Sequence, residues 1–151
     1  MKEYVKDMCV CIVASMIILL FAKIMHSNFF DKLMESFMEV VCGIFAINIA
    51  STALIADLIN KITAKTGHQF SNTKETLIIE LKIQAGMILM AVILSVFYYA
   101  KFSEIHSPLI YEYSTKIKFA SEIGILSIFL YFLWLTFDLG KALFEILKFK
   151  S

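Results

Sequence analysis

The residues best spaced for a shared role are six small or acidic side chains in the first half of the chain. They follow one another at intervals of three or four residues, which places them on one face of an α-helix: Glu39, Gly43, Ala46, Ala50, Ala53 and Asp57. Small residues let helix backbones approach closely, so this face predicts a helix–helix seam in an oligomer. A carboxylate at each end also fits a pore lined by this helix, because acid rings favour cations. Both interpretations stay open.

Two polar residues interrupt the same apolar stretch. Asn48 and Thr52 lie one helical turn apart in its middle. In hydrocarbon, such side chains form hydrogen bonds to another helix, each contributing about 0.6 to 2 kcal/mol. Gln84 is one candidate partner, and its position suits Thr52 better than Asn48. The same helix of a second copy is the other candidate, and we expect a structural bond rather than ion coordination.

Charged residues lie beside the third apolar stretch and after the fourth. Glu80 and Lys82 precede the third stretch, and the segment after the fourth is amphipathic, with a polar stripe of Asp138, Lys141, Glu145 and Lys148. Glu80 and Lys82 could pair with Lys141 and Asp138 across the two helices. These six residues predict a docking surface for a soluble partner. A solvated face close to the membrane is the alternative.

No catalytic pattern occurs in the sequence. The three histidines fall in separate connections, and there is no metal-binding histidine motif, serine elbow or glycine-rich phosphate loop. Cys9, Cys11 and Cys42 lie in apolar stretches, where we expect them to pack as small apolar residues. We therefore expect no enzyme activity, no cofactor and no metal. A net charge of +1 argues against direct binding of nucleic acid.

Four charge-free runs of 15 to 18 residues, at 8–22, 40–56, 83–100 and 123–137, must position these side chains. Each approaches the roughly 20 residues that a helix needs to cross a membrane. The chain is 60% hydrophobic with a mean hydropathy of +0.79. We predict an all-α, four-helix transmembrane bundle, a single domain over residues 1–151 with spans at about 5–25, 37–59, 81–102 and 120–140. A soluble four-helix bundle is disfavoured because no run carries a polar stripe through its middle.

Capping residues predict where the helices begin. Asn28 favours an early start to the second helix, and Asn72 a start to the third. Pro108 is typical of a first helical position, which predicts a short interfacial helix before a fourth helix that begins near Phe119. Gly67 can adopt a positive φ and predicts a joint between the second and third helices.

Lysine counts predict the orientation. The amino terminus, the connection between the second and third helices and the carboxyl-terminal tail hold eight lysines, against five in the other two connections. The positive-inside rule then predicts that both termini lie in the cytoplasm. The first helix carries no small-residue cleavage site and is expected to remain as a signal anchor. The third and fourth helices should project about two turns into the cytoplasm.

A small, glycine-poor, four-span chain with short loops and projecting helix ends resembles the membrane subunit of the Kiwa anti-phage system. The resemblance covers the whole chain in size and topology, and no shared motif transfers a functional residue. It implies a homotetramer in the inner membrane that recruits a soluble DNA-binding partner and responds to phage attachment. We therefore predict an oligomeric membrane scaffold or sensor in anti-phage defence that binds itself, membrane lipid and a soluble cytoplasmic protein. The alternative is a holin-like or effector protein that permeabilises or depolarises the membrane.

Overall fold

Four α-helices make up the part of the chain that the structure describes. The computed structural model describes residues 2–67, 70–100 and 108–148. The helices are α1 (Lys2–Ile24), α2 (Phe29–Thr66), α3 (Ser71–Tyr99) and α4 (Pro108–Lys148). The described part of the chain contains no strand, so the all-α prediction is confirmed.

The turn between α1 and α2 is closed by backbone hydrogen bonds around His26. The Ser27 N–H donates to the Ala22 carbonyl at 2.9 Å, and the His26 N–H donates to the Lys23 carbonyl at 3.2 Å. This pair of bonds is a Schellman motif, which requires a left-handed residue after the helix. His26 occupies that position with φ of 48°, although glycine is the residue usually found there. The Asn28 carbonyl then accepts the Lys32 N–H at 3.1 Å, so α2 starts early, as predicted.

The other helix boundaries differ in part from the prediction. Gly67 ends α2 with φ of 71°, and its N–H donates to the Thr63 carbonyl at 2.8 Å, as expected for a glycine cap. Helix α3 begins one residue before Asn72, which therefore lies inside the first turn and is not the cap.

The prediction of a separate interfacial helix before a fourth helix starting near Phe119 is wrong. Pro108 does occupy a first helical position, but α4 continues from it without a break to Lys148. Charged residues along 108–122 mark where a membrane span would end, and they do not end the helix, because lysine and glutamate are good helix formers.

All four helices are long and apolar enough to cross a membrane. The candidate spans are Tyr4–Ile24, Phe29–Lys65, Asn72–Tyr99 and Ser114–Leu147. Large apolar side chains on these helices are exposed, for example Ile17 at 63%, Leu89 at 68% and Phe144 at 69%. A water-soluble protein rarely exposes so much contiguous apolar surface. The exposed faces have the composition expected of a lipid-facing surface.

Contacts between the helices divide the chain into two compact units. Unit 1 comprises Met1–Phe37 and Met87–Tyr131, and unit 2 comprises Met38–Gly86 and Phe132–Ser151. Buried apolar residues of unit 1 include Leu19, Phe37, Ala91, Ile125 and Tyr131. In unit 2, Ile55 and Ile59 of α2 pack with Leu77 of α3 and Leu139 of α4, and Phe70, Ala142, Leu143 and Ile146 lie against this cluster.

Candidate functional site

The six small and acidic residues of α2 form an exposed stripe, which we call the α2 stripe. Glu39, Gly43, Ala46, Ala50, Ala53 and Asp57 are all exposed in the single chain. Apart from its two chain neighbours and the nearby backbone of α2 itself, no atom lies within 4 Å of the position that a Cβ on Gly43 would occupy. The α2 stripe is therefore not used for packing among the described residues of one chain. A small-residue face that is left open in this way can accept the backbone of another helix.

The two carboxylates at the ends of the α2 stripe differ in their surroundings. Asp57 forms an ion pair with Lys61 one turn further along, with 2.6 Å between Nζ and Oδ2. Both side chains are more than half exposed, so the pair contributes little to stability. It does neutralise much of the negative charge at that end. Glu39 is exposed at the other end.

A buried hydrogen bond between amides lies on the side of α2 that faces α3. Asn48 Nδ2 donates to Gln84 Oε1 at 3.1 Å, and both residues have no exposed surface. The structure therefore pairs Gln84 with Asn48, whereas the sequence favoured Thr52 as its partner. Thr52 is also buried, but its hydroxyl has no hydrogen-bond partner among the described residues.

The amide pair does not use all its hydrogen-bonding capacity. Asn48 Oδ1 and Gln84 Nε2 have no partner among the described residues. Each buried polar atom without a partner costs free energy. Other arrangements of the two helices would break the one bond that the amides do form, so the pair favours a single arrangement. The bond defines which side of α2 faces the interior of unit 2 and leaves the α2 stripe on the outside.

The charged residues predicted for partner docking are only partly brought together. Asp138 pairs with Lys141 on its own helix, with 3.8 Å between Oδ1 and Nζ, and Lys141 Nζ lies 4.5 Å from the centre of the Phe137 ring. Lys82 is exposed and forms no ion pair with a described residue, so the expected pairing of Lys82 with Asp138 is absent. Glu145 is exposed, and the side chain of Lys148 lies outside the described residues.

Glu80 and Asp138 share a cleft between the first turns of α3 and the end of α4. Its volume is about 320 Å³. Its apolar floor is formed by Leu77, Leu139 and Ala142, and its polar rim is formed by Asn72, Thr73, Thr76, Glu80 and Asp138. A cleft of this size, apolar with a few polar groups, can take a side chain or a short segment of a ligand. We call it the α3–α4 cleft.

Unit 1 contains a polar network around Tyr98 that the sequence did not predict. The Tyr98 hydroxyl at the end of α3 donates to Asp31 Oδ1 in the first turn of α2. Phe30 packs edge-on against the Tyr98 ring at 5.3 Å between centroids. Lys118 of α4 lies over the Tyr98 ring, with Nζ 4.8 Å from the ring centre. Tyr98 therefore links α2, α3 and α4.

A separate group of polar contacts in unit 1 joins α1 to α4. Lys23 Nζ lies 3.3 Å from Glu122 Oε2 and 3.9 Å from the centre of the Phe119 ring. The Glu122 side chain is only 12% exposed, so its charge depends on Lys23 more than a surface charge would. The one sequence signal for these contacts was charge near the ends of the apolar runs, which does not identify partners.

Among the described residues, no group of three or more histidine, cysteine, aspartate or glutamate side chains is arranged to hold a metal ion. Comparison with known proteins found no matching family model, no matching curated protein and no matching solved structure.

Proposed function

We propose that the chain is a subunit of an oligomeric scaffold or sensor in the bacterial inner membrane, without catalytic activity of its own. The α2 stripe is the observation that carries this proposal. It combines small residues, exposure along its full length and a helix that is apolar enough to span the membrane. In lipid the hydrophobic effect does not drive helices together, so van der Waals packing of backbones at small residues stabilises their association.

Replacing Ala46 and Ala50 with leucine tests the oligomer. Two added isobutyl groups would hold the backbones apart and lower the oligomer mass measured by native mass spectrometry in detergent. Leu89→Ala and Val96→Ala, on an exposed face of α3, serve as the matched control and should leave the mass unchanged. If the oligomer mass is unchanged with both leucine substitutions, the α2 stripe is not the seam between subunits.

The second part of the proposal is recruitment of a soluble cytoplasmic protein. The α3–α4 cleft supports it, because the cleft has an apolar floor and a charged rim at the helix ends that the lysine distribution assigns to the cytoplasm. Lys141 pairs with Asp138 at the rim of the cleft, and Lys148 belongs to the same polar stripe of α4. Charge reversal at both lysines should release the partner in a pull-down from native membranes and leave the oligomer intact. Charge reversal at the exposed lysines Lys6 and Lys32 is the control. Unchanged recovery of the partner would reject docking at this surface.

The resemblance to the Kiwa membrane subunit supports extending the proposal to anti-phage defence. Expression of the chain with its neighbouring gene should then reduce phage plaque formation, and Ala46→Leu with Ala50→Leu should abolish that protection. Equal plaque numbers with and without the pair of genes would argue against defence.

A pore is the second candidate function, because Glu39 and Asp57 place an exposed carboxylate at each end of the α2 stripe. The ion pair of Asp57 with Lys61 weakens this candidate, since a neutralised ring attracts cations less. Expression alone should collapse the membrane potential for a pore and leave it unchanged for a scaffold.

A further inference from the structure

A second cleft lies along the carboxyl-terminal part of α2. Its volume is about 190 Å³, and Leu58, Lys61, Ile62 and Lys65 line it. These positions recur at intervals of three, one and three residues, which places them on one face of the helix. Two apolar side chains thus lie beside two lysines that point in similar directions. We call this the lysine cleft.

The depth of the lysine cleft follows from the length of α2. Asn48 is the central residue of the charge-free run 40–56. At 1.5 Å per residue, Leu58 lies about 15 Å and Lys61 about 20 Å from Asn48 along an upright helix. The hydrocarbon layer extends about 15 Å from the midplane, and the headgroups extend several Å further. Leu58 therefore lies at the edge of the hydrocarbon and Lys61 at the level of the headgroups.

The charges in the lysine cleft favour an anion. Lys65 is exposed and forms no ion pair with a described residue. Lys61 has a partner in Asp57, but that pair is more than half exposed and therefore exchanges readily with other anions. One carboxylate facing two ammonium groups leaves a net positive charge. Lysine binds phosphate as a point charge and does not require a fixed geometry.

The size of the lysine cleft also points to part of a larger molecule. Sites that enclose a whole small ligand have volumes of roughly 300 to 1,000 Å³, which is more than this cleft offers. A phospholipid needs to place only its phosphate and the first carbons of one acyl chain in the protein, because the rest stays in the bilayer.

We propose that the lysine cleft binds an anionic phospholipid, with the phosphate between Lys61 and Lys65 and the upper acyl chain against Leu58 and Ile62. This inference rests on the membrane location in the proposed function. It adds a specific lipid class and a specific site. Basic pockets at the cytoplasmic surface of membrane proteins bind anionic headgroups in the same manner.

The test measures lipid binding to the full chain by native mass spectrometry, with phosphatidylglycerol and phosphatidylcholine as probes. The wild-type chain should bind phosphatidylglycerol more tightly than phosphatidylcholine. At about 1 kcal/mol per lysine near a membrane surface, Lys61→Gln with Lys65→Gln should weaken phosphatidylglycerol binding about 25-fold and leave phosphatidylcholine unchanged. Lys6→Gln with Lys32→Gln removes the same charge elsewhere and should have no effect.

A third variant tests the apolar wall without a change of charge. Ile62→Trp places a larger ring in the lysine cleft and should weaken binding of phosphatidylglycerol. Unchanged phosphatidylglycerol binding in the double glutamine variant would overturn the proposal. Displacement of the lipid by inorganic phosphate at equal concentration would also overturn it, because the site would then take a soluble anion.

Extraction of membranes with alkaline carbonate separates this inference from the proposed function. Release of the wild-type chain would reject the membrane location itself. If the chain is retained in the membrane and phosphatidylglycerol binding is unchanged by the substitutions at Lys61 and Lys65, only the lipid site is rejected.

Discussion

The hydrogen bond between Asn48 and Gln84 gives the sharpest test of how α2 and α3 pack. Both residues are fully buried, and the Nδ2 to Oε1 distance is 3.1 Å. Gln84→Met removes the acceptor and leaves the Asn48 amide buried without any partner. Burying an unpartnered polar group costs about 1 to 3 kcal/mol, and partners found in the unfolded state within the membrane reduce this figure. We expect the free energy of unfolding to fall by about 1 to 2 kcal/mol.

The double variant distinguishes this mechanism from simple loss of packing. Asn48→Leu alone should cost a similar amount, because it leaves the Gln84 amide unpartnered. Asn48→Leu combined with Gln84→Met removes both polar groups, so its unfolding free energy should lie within about 1 kcal/mol of the wild type. The two substitutions would then be strongly non-additive. The assay is reversible unfolding by sodium dodecyl sulfate in mixed micelles, followed by circular dichroism.

Ser127→Ala is the matched control for the loss of a buried polar group. The Ser127 hydroxyl donates to the Ile123 carbonyl of its own helix at 2.6 Å, so its loss breaks no contact between helices. We expect a change below about 0.5 kcal/mol. If the double variant costs the sum of the two single substitutions to within about 0.5 kcal/mol, the two amides are not coupled, and their hydrogen bond does not stabilise the packing of α2 on α3.

Three further predictions use the same unfolding assay, and they concern His26, a pair of glycines, and the ion pair of Lys23 with Glu122. His26→Gly should stabilise the chain by about 0.5 to 1 kcal/mol, because φ of 48° strains any residue with a Cβ; a loss of stability would mean that the imidazole makes a favourable contact. Gly140→Ala should stabilise by about 0.5 to 1 kcal/mol because its added Cβ meets nothing within 4 Å. Gly124→Ala should gain less stability than Gly140→Ala, because its Cβ would lie 2.6 Å from Leu94 Cδ1 and that leucine side chain must move. Equal gains from both substitutions would contradict the close packing of α3 and α4 in unit 1. Lys23→Met should destabilise by about 1 kcal/mol, and adding Glu122→Gln should restore most of the loss, since the mostly buried carboxylate would no longer be charged; a further loss in the double variant would count against the ion pair.

The number and type of the helices could be predicted from the sequence because the apolar runs are long and free of charge. The ends of the helices could be predicted where a local residue decides them, as at Asn28, Gly67 and Pro108. The predicted start of the fourth helix near Phe119 was wrong because a charge-free run shows only which part of a helix could lie in hydrocarbon. Lysine and glutamate are good helix formers, so the helix itself continues beyond that run.

The positions of the site residues were harder to predict than the helices. The periodicity of the sequence was enough to place the six residues of the α2 stripe on one face of a helix, and the structure leaves that face exposed. The sequence identified Gln84 as a partner for a polar residue of α2 but favoured Thr52 over Asn48, because depth along two separate helices depends on their relative register. Contacts such as that of Lys23 with Glu122 join residues far apart in the sequence, and no local pattern reports them.

Cross-linking in native membranes tests whether the α2 stripe joins two copies of the chain within the membrane. The three native cysteines are replaced by alanine, a single cysteine is introduced by Ala50→Cys, and the washed membrane fraction is treated with a short bifunctional thiol cross-linker. We expect a cross-linked dimer for Ala50→Cys and none for Leu89→Cys, because Leu89 lies on an exposed face of α3, outside the α2 stripe. Equal cross-linking at both positions, or recovery of the chain outside the membrane fraction, would contradict this expectation.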